Sequence, residues 1–208
     1  MHREFMSAAG GGEASRNSFE LPVLRTPRLL LRKLEERDAR DVYEYASDPE
    51  TVRYLTWYEH PNIQYTRDYL RTVTDKYARH EFYDWAVMLR QDGKVLGTCG
   101  YTTVDTLNSK LEAGYVLNRA YWGQGLMCEA LRAVIMYGFE RLGYNRVEAR
   151  CMEGNRASER VMQKCGMQYE GTLREALYSK GVYQTIRYYS MLHGDYRRMR
   201  AESSMNNY

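Results

Sequence analysis

The stretch that most constrains the fold covers residues 115–130 and has the sequence YVLNRAYWGQGLMCEA. It contains a strand-like apolar segment, a turn with Gly123 and Gly125, and the start of a long apolar helix. Glycine permits sharp turns and leaves no side chain between the backbone and a ligand. The first amides of a helix lack intrahelical partners and lie at the positive end of its dipole. The stretch therefore predicts a strand–turn–helix unit that can bind phosphate oxygens.

Composition limits the class of protein. The chain has 208 residues, of which 44% are hydrophobic and 27% charged, as in a globular domain with its own core. It has neither an apolar run of the roughly 18 residues that a membrane span needs nor a secretory signal. A net charge of +3 argues against a nucleic-acid partner. The four cysteines lack CxxC spacing, which favours free thiols in a reducing cytoplasm. The histidines have no metal-ligand neighbours, so no metal site is predicted.

Hydrophobic periodicity divides the chain into three parts. Residues 1–19 show no pattern and are expected to be a flexible leader. Residues 20–194 alternate between strand and helix patterns, beginning with a strand expected over residues 21–32. They predict one α/β (α+β) domain with a mixed, mostly antiparallel sheet of about seven strands flanked by about four helices. Residues 195–208 are expected to be a flexible, basic and polar tail.

Three segments carry a resemblance to a known family: LRTPRLLLR at 24–32, WGQGLMCEA at 122–130 and NRASERVMQKCGM at 155–167. Together they resemble the GCN5-related N-acetyltransferases (GNAT), and most closely the branch that contains the ribosomal-protein N-terminal acetyltransferases. The resemblance covers about residues 21–192.

The resemblance implies acetyl-CoA as the donor, an amine as the acceptor and a single GNAT-like domain. It also implies a sheet that opens between the strands ending near Leu117 and Cys151, with the pantetheine arm in the gap. The backbone there would pair with that arm like an added strand. The residues implied in acetyl-CoA binding are Tyr115, Val116, Leu117, Trp122, Gly123, Gln124, Gly125, Leu126, Met127, Asn155 and Ser158.

The chain departs from the family pattern at four positions. Trp122 stands where the family often has Gln or Arg, a change that the ribosomal-protein branch tolerates. Met127 replaces a small residue and is expected to crowd the glycine turn. Met162 stands where many relatives have the tyrosine that protonates the departing thiolate. Thr185 stands where the branch commonly has an aspartate.

Three residues are candidates for the chemistry. Glu112 is the candidate base, because it shares a strand face with Gly114, whose missing side chain leaves room for a ligand; a solvated glutamate is the alternative. Ser158 is the candidate acid by default, with helix capping or packing as the alternative. The backbone N–H of Val116 is the candidate oxyanion donor. Cys128 is interpreted as a small core residue.

Aromatic residues are candidates for acceptor binding. Trp57, Tyr58 and His60 precede the second long helix, where the family often builds its acceptor wall, and Tyr183 lies in the last strand. The first three could equally anchor a loop over the core. Asn155 could cap its helix as well as contact the ligand.

These observations predict a cytoplasmic N-acetyltransferase in which a primary amine attacks acetyl-CoA directly. The first expected acceptor is a protein N-terminal α-amine of the ribosomal-protein type. A small-molecule amine (a polyamine, an aminoglycoside or an amino-acid-like antibiotic) is the alternative, and a non-catalytic acyl-CoA-binding module is the alternative of another class. No membrane partner is expected, and a homodimer is left open.

Overall fold

The structure, a computed structural model, describes residues 20–205 and is built around one eight-stranded sheet. The leader expected over residues 1–19 and the last three residues of the expected tail lie outside that range. The spatial order is β1-β2-β3-β4-β5-β6-β8-β7. The strands are β1 Leu24–Arg25, β2 Leu29–Arg32, β3 Tyr83–Leu89, β4 Val95–Asp105, β5 Lys110–Leu117, β6 Arg146–Met152, β7 Gln168–Ser179 and β8 Val182–Leu192.

Helices lie on both sides of this sheet. They are α1 Ala39–Ala46, α2 Pro49–Val52, α3 Ile63–Ala78, α4 Leu126–Glu140, α5 Arg156–Lys164 and α6 His193–Met205, with short 3-10 helices at Glu36–Asp38 and Arg119–Tyr121. Across the described residues, no helix combines the length and apolar character needed to cross a membrane.

The predicted gap in the sheet is confirmed by the register of β5 and β6. These strands form the parallel pair of the sheet, and their pairing runs only from Lys110 opposite Arg146 to Ala113 opposite Ala149. Beyond Ala113 both strands continue without each other. Backbone N–H and C=O groups inside a sheet are normally hydrogen-bonded, so the edges of β5 and β6 that lack a partner strand identify a place for an extended ligand.

The mixed, mostly antiparallel sheet is confirmed, with two differences in the number of elements. The strand expected over residues 21–32 is a hairpin of β1 and β2, because Pro27 interrupts the ladder and the Thr26 N–H turns back to the Leu29 carbonyl at 3.0 Å. The short helix α2 begins at Pro49 after the Asp48 cap.

The expected flexible tail is corrected by α6, which packs on the domain. Tyr196 is buried against Phe139 with ring centroids 5.2 Å apart, and its hydroxyl hydrogen-bonds Glu140. One turn later, Met199 lies beside Gly166. The basic composition of this segment concealed an apolar i, i+3 pair that holds a helix against the core.

The core fills both faces of the sheet. On one face, α4 buries Leu131, Val134 and Phe139, and it is apolar nearly all round because it lies under the sheet. On the other face, α1 and α3 bury Val42 and Leu70. The gap between β5 and β6 therefore lies between the helix layer of α4 and that of α1 and α3. The first turn of α4 follows β5 closely in the chain and lies near the open end of the gap.

Candidate active site

The strand β5 presents alternate backbone groups to the gap. The Asn118 N–H donates to the Leu96 carbonyl of β4 at 2.7 Å, and Val116 lies opposite Thr98 of β4. Regular alternation therefore turns the Val116 N–H toward β4 and the N–H groups of Tyr115 and Leu117 toward the gap. This removes the basis for an oxyanion role of the Val116 N–H, since the ladder with β4 already uses that group. Tyr115 and Leu117 provide the spacing with which an extended arm would pair.

The glycine turn is built to expose amides. Gly123 and Gly125 have φ of 76° and 75°, a left-handed backbone that glycine adopts without strain. A Cβ added at Gly123 would meet no atom within 4 Å, so open space lies above it. Gly125 is the N-cap of α4 and supplies no side-chain cap, which leaves the first amides of the helix free for an anion. The turn thus fits a pyrophosphate.

The expected crowding by Met127 is corrected. The Met127 side chain is buried, at 4% exposure, among the core residues under α4. Leu126 is buried in the same way. Both residues therefore present only their amides at the helix start.

Trp122 connects the turn to the end of β5. Its ring is 44% exposed, and its Nε1–H donates to the Leu117 carbonyl at 2.7 Å. The indole thus hydrogen-bonds one carbonyl that faces the gap. It lies beside the place where the pantetheine and pyrophosphate portions of acetyl-CoA would join.

A brace from the β1–β2 turn holds the glycine loop. The Arg28 guanidinium donates to the Gln124 carbonyl at 2.9 Å and to a Glu129 carboxylate oxygen at 2.7 Å. The other Glu129 oxygen accepts from the Arg28 N–H and the Thr26 hydroxyl, at 2.8 and 2.6 Å. These donors, the Thr26 hydroxyl first, lower the pKa of Glu129 against the effect of burial. The residues in these contacts are about a hundred positions apart in the sequence, so hydrophobic periodicity could not predict the brace.

A pair of hydroxyl groups crosses the gap. The Tyr115 hydroxyl and Ser158 Oγ are 2.7 Å apart, and the Tyr115 hydroxyl also donates to the Ser158 carbonyl at 3.2 Å. Asn155 caps α5 by accepting from the Ser158 N–H at 3.1 Å. Burial raises the pKa of Tyr115, so its hydroxyl remains protonated. The sequence analysis used only the backbone of Tyr115 and missed this side chain.

The position of the missing tyrosine is closed to chemistry. Met162 is fully buried, so it serves the core. Cys151 and Cys165 are also buried, and burial raises the pKa of each thiol to about 12. The Cys128 side chain is buried at the base of α4. None of these groups is presented as a nucleophile, which favours direct transfer over an acyl-enzyme.

Glu112 lies beside the gap in an ion pair. Its Oε1 is 2.8 Å from Arg150 Nε of β6, and its side chain is 16% exposed. The room expected above Gly114 is filled, because a Cβ there would lie 2.5 Å from the Thr102 methyl group. The ion pair with Arg150 thus holds Glu112 beside the gap, and Thr102 of the adjacent strand β4 is its neighbour.

The predicted aromatic residues separate into two groups. His60 is buried, its Nδ1 is 2.9 Å from the Thr66 hydroxyl, and its ring lies 5.5 Å from that of Trp57. Burial lowers the pKa of His60, which favours the neutral ring. Trp57 and His60 thus anchor the loop before α3.

Tyr58 and Tyr183 lie at the surface instead, each 65% exposed. Tyr183 contacts Tyr178 within the β7–β8 hairpin, with ring centroids 5.0 Å apart. Lys180 at the hairpin tip lies 5.5 Å from the Tyr58 ring and donates to the Val52 carbonyl at 2.8 Å. The hairpin therefore reaches from the far half of the sheet to the α2 region.

Within residues 20–205, no three His, Cys, Asp or Glu side chains gather as a metal ion would require.

Comparison with known proteins places this geometry in a family. The sequence profile described as the acetyltransferase (GNAT) domain matches residues 28–168. The chain is 32% identical over 176 residues to N-acetyltransferase p20 of Bacillus licheniformis, covering 85% of this chain and 99% of that protein.

Two solved structures show the same fold. One is a GNAT-family acetyltransferase from Bacillus anthracis, with a TM-score of 0.74 and 26% identity over 83% of this chain and 99% of that one. The other is RimL, described as a ribosomal L7/L12 α-N-protein acetyltransferase in complex with coenzyme A. It has a TM-score of 0.69 and 21% identity over 82% of this chain and 98% of that one.

Proposed function

This chain belongs to the GNAT acetyltransferase family, and we propose that it transfers an acetyl group directly from acetyl-CoA to a primary amine. The first candidate acceptor is the α-amine of a protein N-terminus. The reaction would take place in the cytoplasm, where its four cysteines stay reduced.

The observation that carries the proposal is the junction of the β5–β6 gap with the glycine turn. Gap-facing groups of Tyr115 and Leu117 would pair with the pantetheine arm. The amides around Gly123 and Gly125 would hold the pyrophosphate at the start of α4. Acetyl-CoA, when bound, supplies an activated acetyl thioester, and the chain's own residues provide orientation and proton transfer.

Groups beside the gap are proposed for each proton transfer and for the developing charge. Glu112, directly or through a water, would take a proton from the ammonium group of the acceptor, which leaves a neutral amine that can attack the thioester. A gap-facing N–H of Tyr115 or Leu117 would donate to the developing oxyanion. Ser158, supported by the Tyr115 hydroxyl, would donate to the leaving sulfur. This hydroxyl pair favours an enzyme over a module that only binds acyl-CoA.

The N-terminal acceptor is supported by likeness of fold to RimL, described as acting on a ribosomal protein α-amine. The test is a thiol-release assay with acetyl-CoA and peptides that begin with Ala, Ser or Met, beside polyamines, aminoglycosides and free amino acids. Release that disappears when the amine is blocked identifies the acceptor class. Silence across the panel while CoA still raises the melting temperature would favour the acyl-CoA-binding module.

Glu112 can be tested as the base through its pH profile. Glu112→Gln should lose rate mainly at low pH, where most of the amine is protonated and needs a proton acceptor. Glu148→Gln is the matched control, because Glu148 faces Glu112 in register on β6 and is bonded by Lys110 and Arg146. An unchanged pH profile in Glu112→Gln would remove it from this role.

A further inference from the structure

A cavity of about 590 Å³ opens at the start of β3, apart from the β5–β6 gap. Its walls include Phe82, Asp84, Thr102 and Thr106, and Glu81 lies among its lining residues. Glu81 forms an ion pair with Arg79 at 3.0 Å, so the pair adds little net charge. Asp84 is therefore the group that sets the chemistry of this cavity.

Asp84 presents a carboxylate oxygen without a partner. Its Oδ1 is shut off from solvent and accepts no hydrogen bond. Among residues 20–205, no basic side chain forms an ion pair with Asp84. Burial alone raises the pKa of this carboxyl to about 7. A buried polar oxygen with no partner is destabilising, so the retention of an acidic residue here calls for a functional reason.

The backbone beside Asp84 is shaped around this carboxylate. Gly100 of β4 lies opposite Asp84, and a Cβ on Gly100 would collide with Asp84 Oδ1. The absence of a side chain at Gly100 thus lets the backbone of β3 and the Asp84 carboxylate lie close against β4 at the wall of the cavity. The close approach of Asp84 to β4 therefore requires a glycine at position 100 as well as the acidic residue.

The register relates the cavity to the reaction site. Asp84 pairs with Gly100, and Gly100 pairs with Gly114, the first residue of β5 beyond its pairing with β6. Two antiparallel spacings separate Asp84 from Gly114 by roughly 10 Å along one face of the sheet. Glu112 and Thr102 lie on that same face. An acceptor whose amine is at the gap can therefore extend across β4 to Asp84.

We propose that this cavity is a subsite for an ammonium group and that it selects acceptors with a second amine roughly 10 Å from the reacting one. The assignment rests on the proposed amine acetylation. An ammonium group in the cavity would pair with the carboxylate of Asp84, which lines the cavity, and supply the positive charge that the described chain does not. The aromatic ring of Phe82 adds a wall that suits a cation.

The experiment compares matched acceptors that differ only in a second amine. They are an α,ω-diamine and the monoamine of the same chain length, and two N-terminal peptides with lysine or norleucine at the third position. The wild-type ratio of kcat/KM for the paired acceptors should favour the second amine by roughly tenfold or more. In Asp84→Asn the ratio should fall to near one. Asp75→Asn, an exposed carboxylate on α3 outside the cavity, should keep the wild-type ratio.

A binding measurement separates this proposal from the proposed function. The diamine is titrated calorimetrically into wild type and Asp84→Asn without acetyl-CoA. Binding to wild type that weakens in Asp84→Asn supports the subsite even if no amine in the assay is acetylated. Absence of acetylation would count against the transferase proposal and not against the subsite. Equal binding to both proteins, or no binding to wild type, overturns the subsite whatever the kinetics show.

Discussion

At the residue scale, Asp84 makes the fold sensitive to pH. Burial raises its pKa from 3.8 to about 7, so the folded protein holds this proton over a range in which the unfolded chain has released it. The stability that the protonated carboxyl provides is full below about pH 4 and is lost as the pH rises to about 7. The difference corresponds to about 4 kcal/mol.

Replacement of this carboxyl should therefore stabilise the protein at neutral pH. We expect Asp84→Asn to exceed wild type by up to about 4 kcal/mol in free energy of unfolding above pH 7, with the difference closing toward pH 4. Urea unfolding of both proteins from pH 4 to 8 measures it. The neighbouring Tyr45, Tyr69 and Cys99 have pKa values raised by burial, so they stay neutral throughout. A difference independent of pH would contradict this account.

The hydroxyl pair of Tyr115 and Ser158 leads to a kinetic prediction. Tyr115→Phe removes the hydroxyl that bonds Ser158 Oγ while it keeps the ring, so kcat should fall by roughly a hundredfold with little change in KM for acetyl-CoA. A double-mutant cycle with Ser158→Ala measures the coupling. If the two hydroxyls act as one unit, the double variant should be about as slow as the slower single variant. Fully additive losses would show independent roles.

The sequence could reveal one half of this pair and not the other. The Asn-x-x-Ser spacing predicts that Asn155 caps a helix and brings its side chain to Ser158, because both belong to one turn. The contact with Tyr115 joins positions 43 apart across a gap. It depends on how far β5 and β6 diverge, which no local pattern encodes.

At the element scale, the brace from the β1–β2 turn holds the glycine turn in place. Arg28→Ala would remove the donor to the Gln124 carbonyl and free the first turn of α4. We expect KM for acetyl-CoA to rise about tenfold while kcat stays within about twofold, because the loop binds the donor equally before and during reaction. Steady-state kinetics with varied acetyl-CoA measure the split.

A matched control is available in the strand that precedes the same turn. Arg25 is an exposed residue of β1 outside the brace, so Arg25→Ala should leave KM for acetyl-CoA unchanged. A fall in kcat without a change in KM for Arg28→Ala would indicate that the brace acts on the chemistry instead of on binding.

The elements themselves were predictable where periodicity was strong. The apolar patterns of α3, α4 and β5 extend over several turns or residues of a buried face, and the structure has a helix, a helix and a strand there. The patterns failed where one residue decides the outcome. Pro27 divides the expected first strand into a hairpin, and Tyr196 fixes α6 against Phe139. Such tertiary contacts override local composition.

At the scale of the whole molecule, the fold is a sheet whose halves are joined weakly at the centre. One half ends in β5, the other begins with β6, and four paired positions connect them before the strands diverge. The Tyr115–Ser158 contact and the Lys180 contacts with α2 cross between the halves. A ligand arm in the gap would add the missing backbone pairs and join both halves, so binding and stability should be coupled.

This coupling can be measured amide by amide. At acetyl-CoA concentrations about 100 times its Kd, the free energy of unfolding should rise by about 2.7 kcal/mol. Hydrogen exchange should slow most at Tyr115 and Leu117, whose N–H groups face the gap, and around Gly123 and Gly125 in the turn. The amide of Val116 should change little, because the ladder with Thr98 protects it already. Protection centred on Val116 instead would mean that the register of β5 shifts when the donor binds, and the assignment of its gap-facing groups would be wrong.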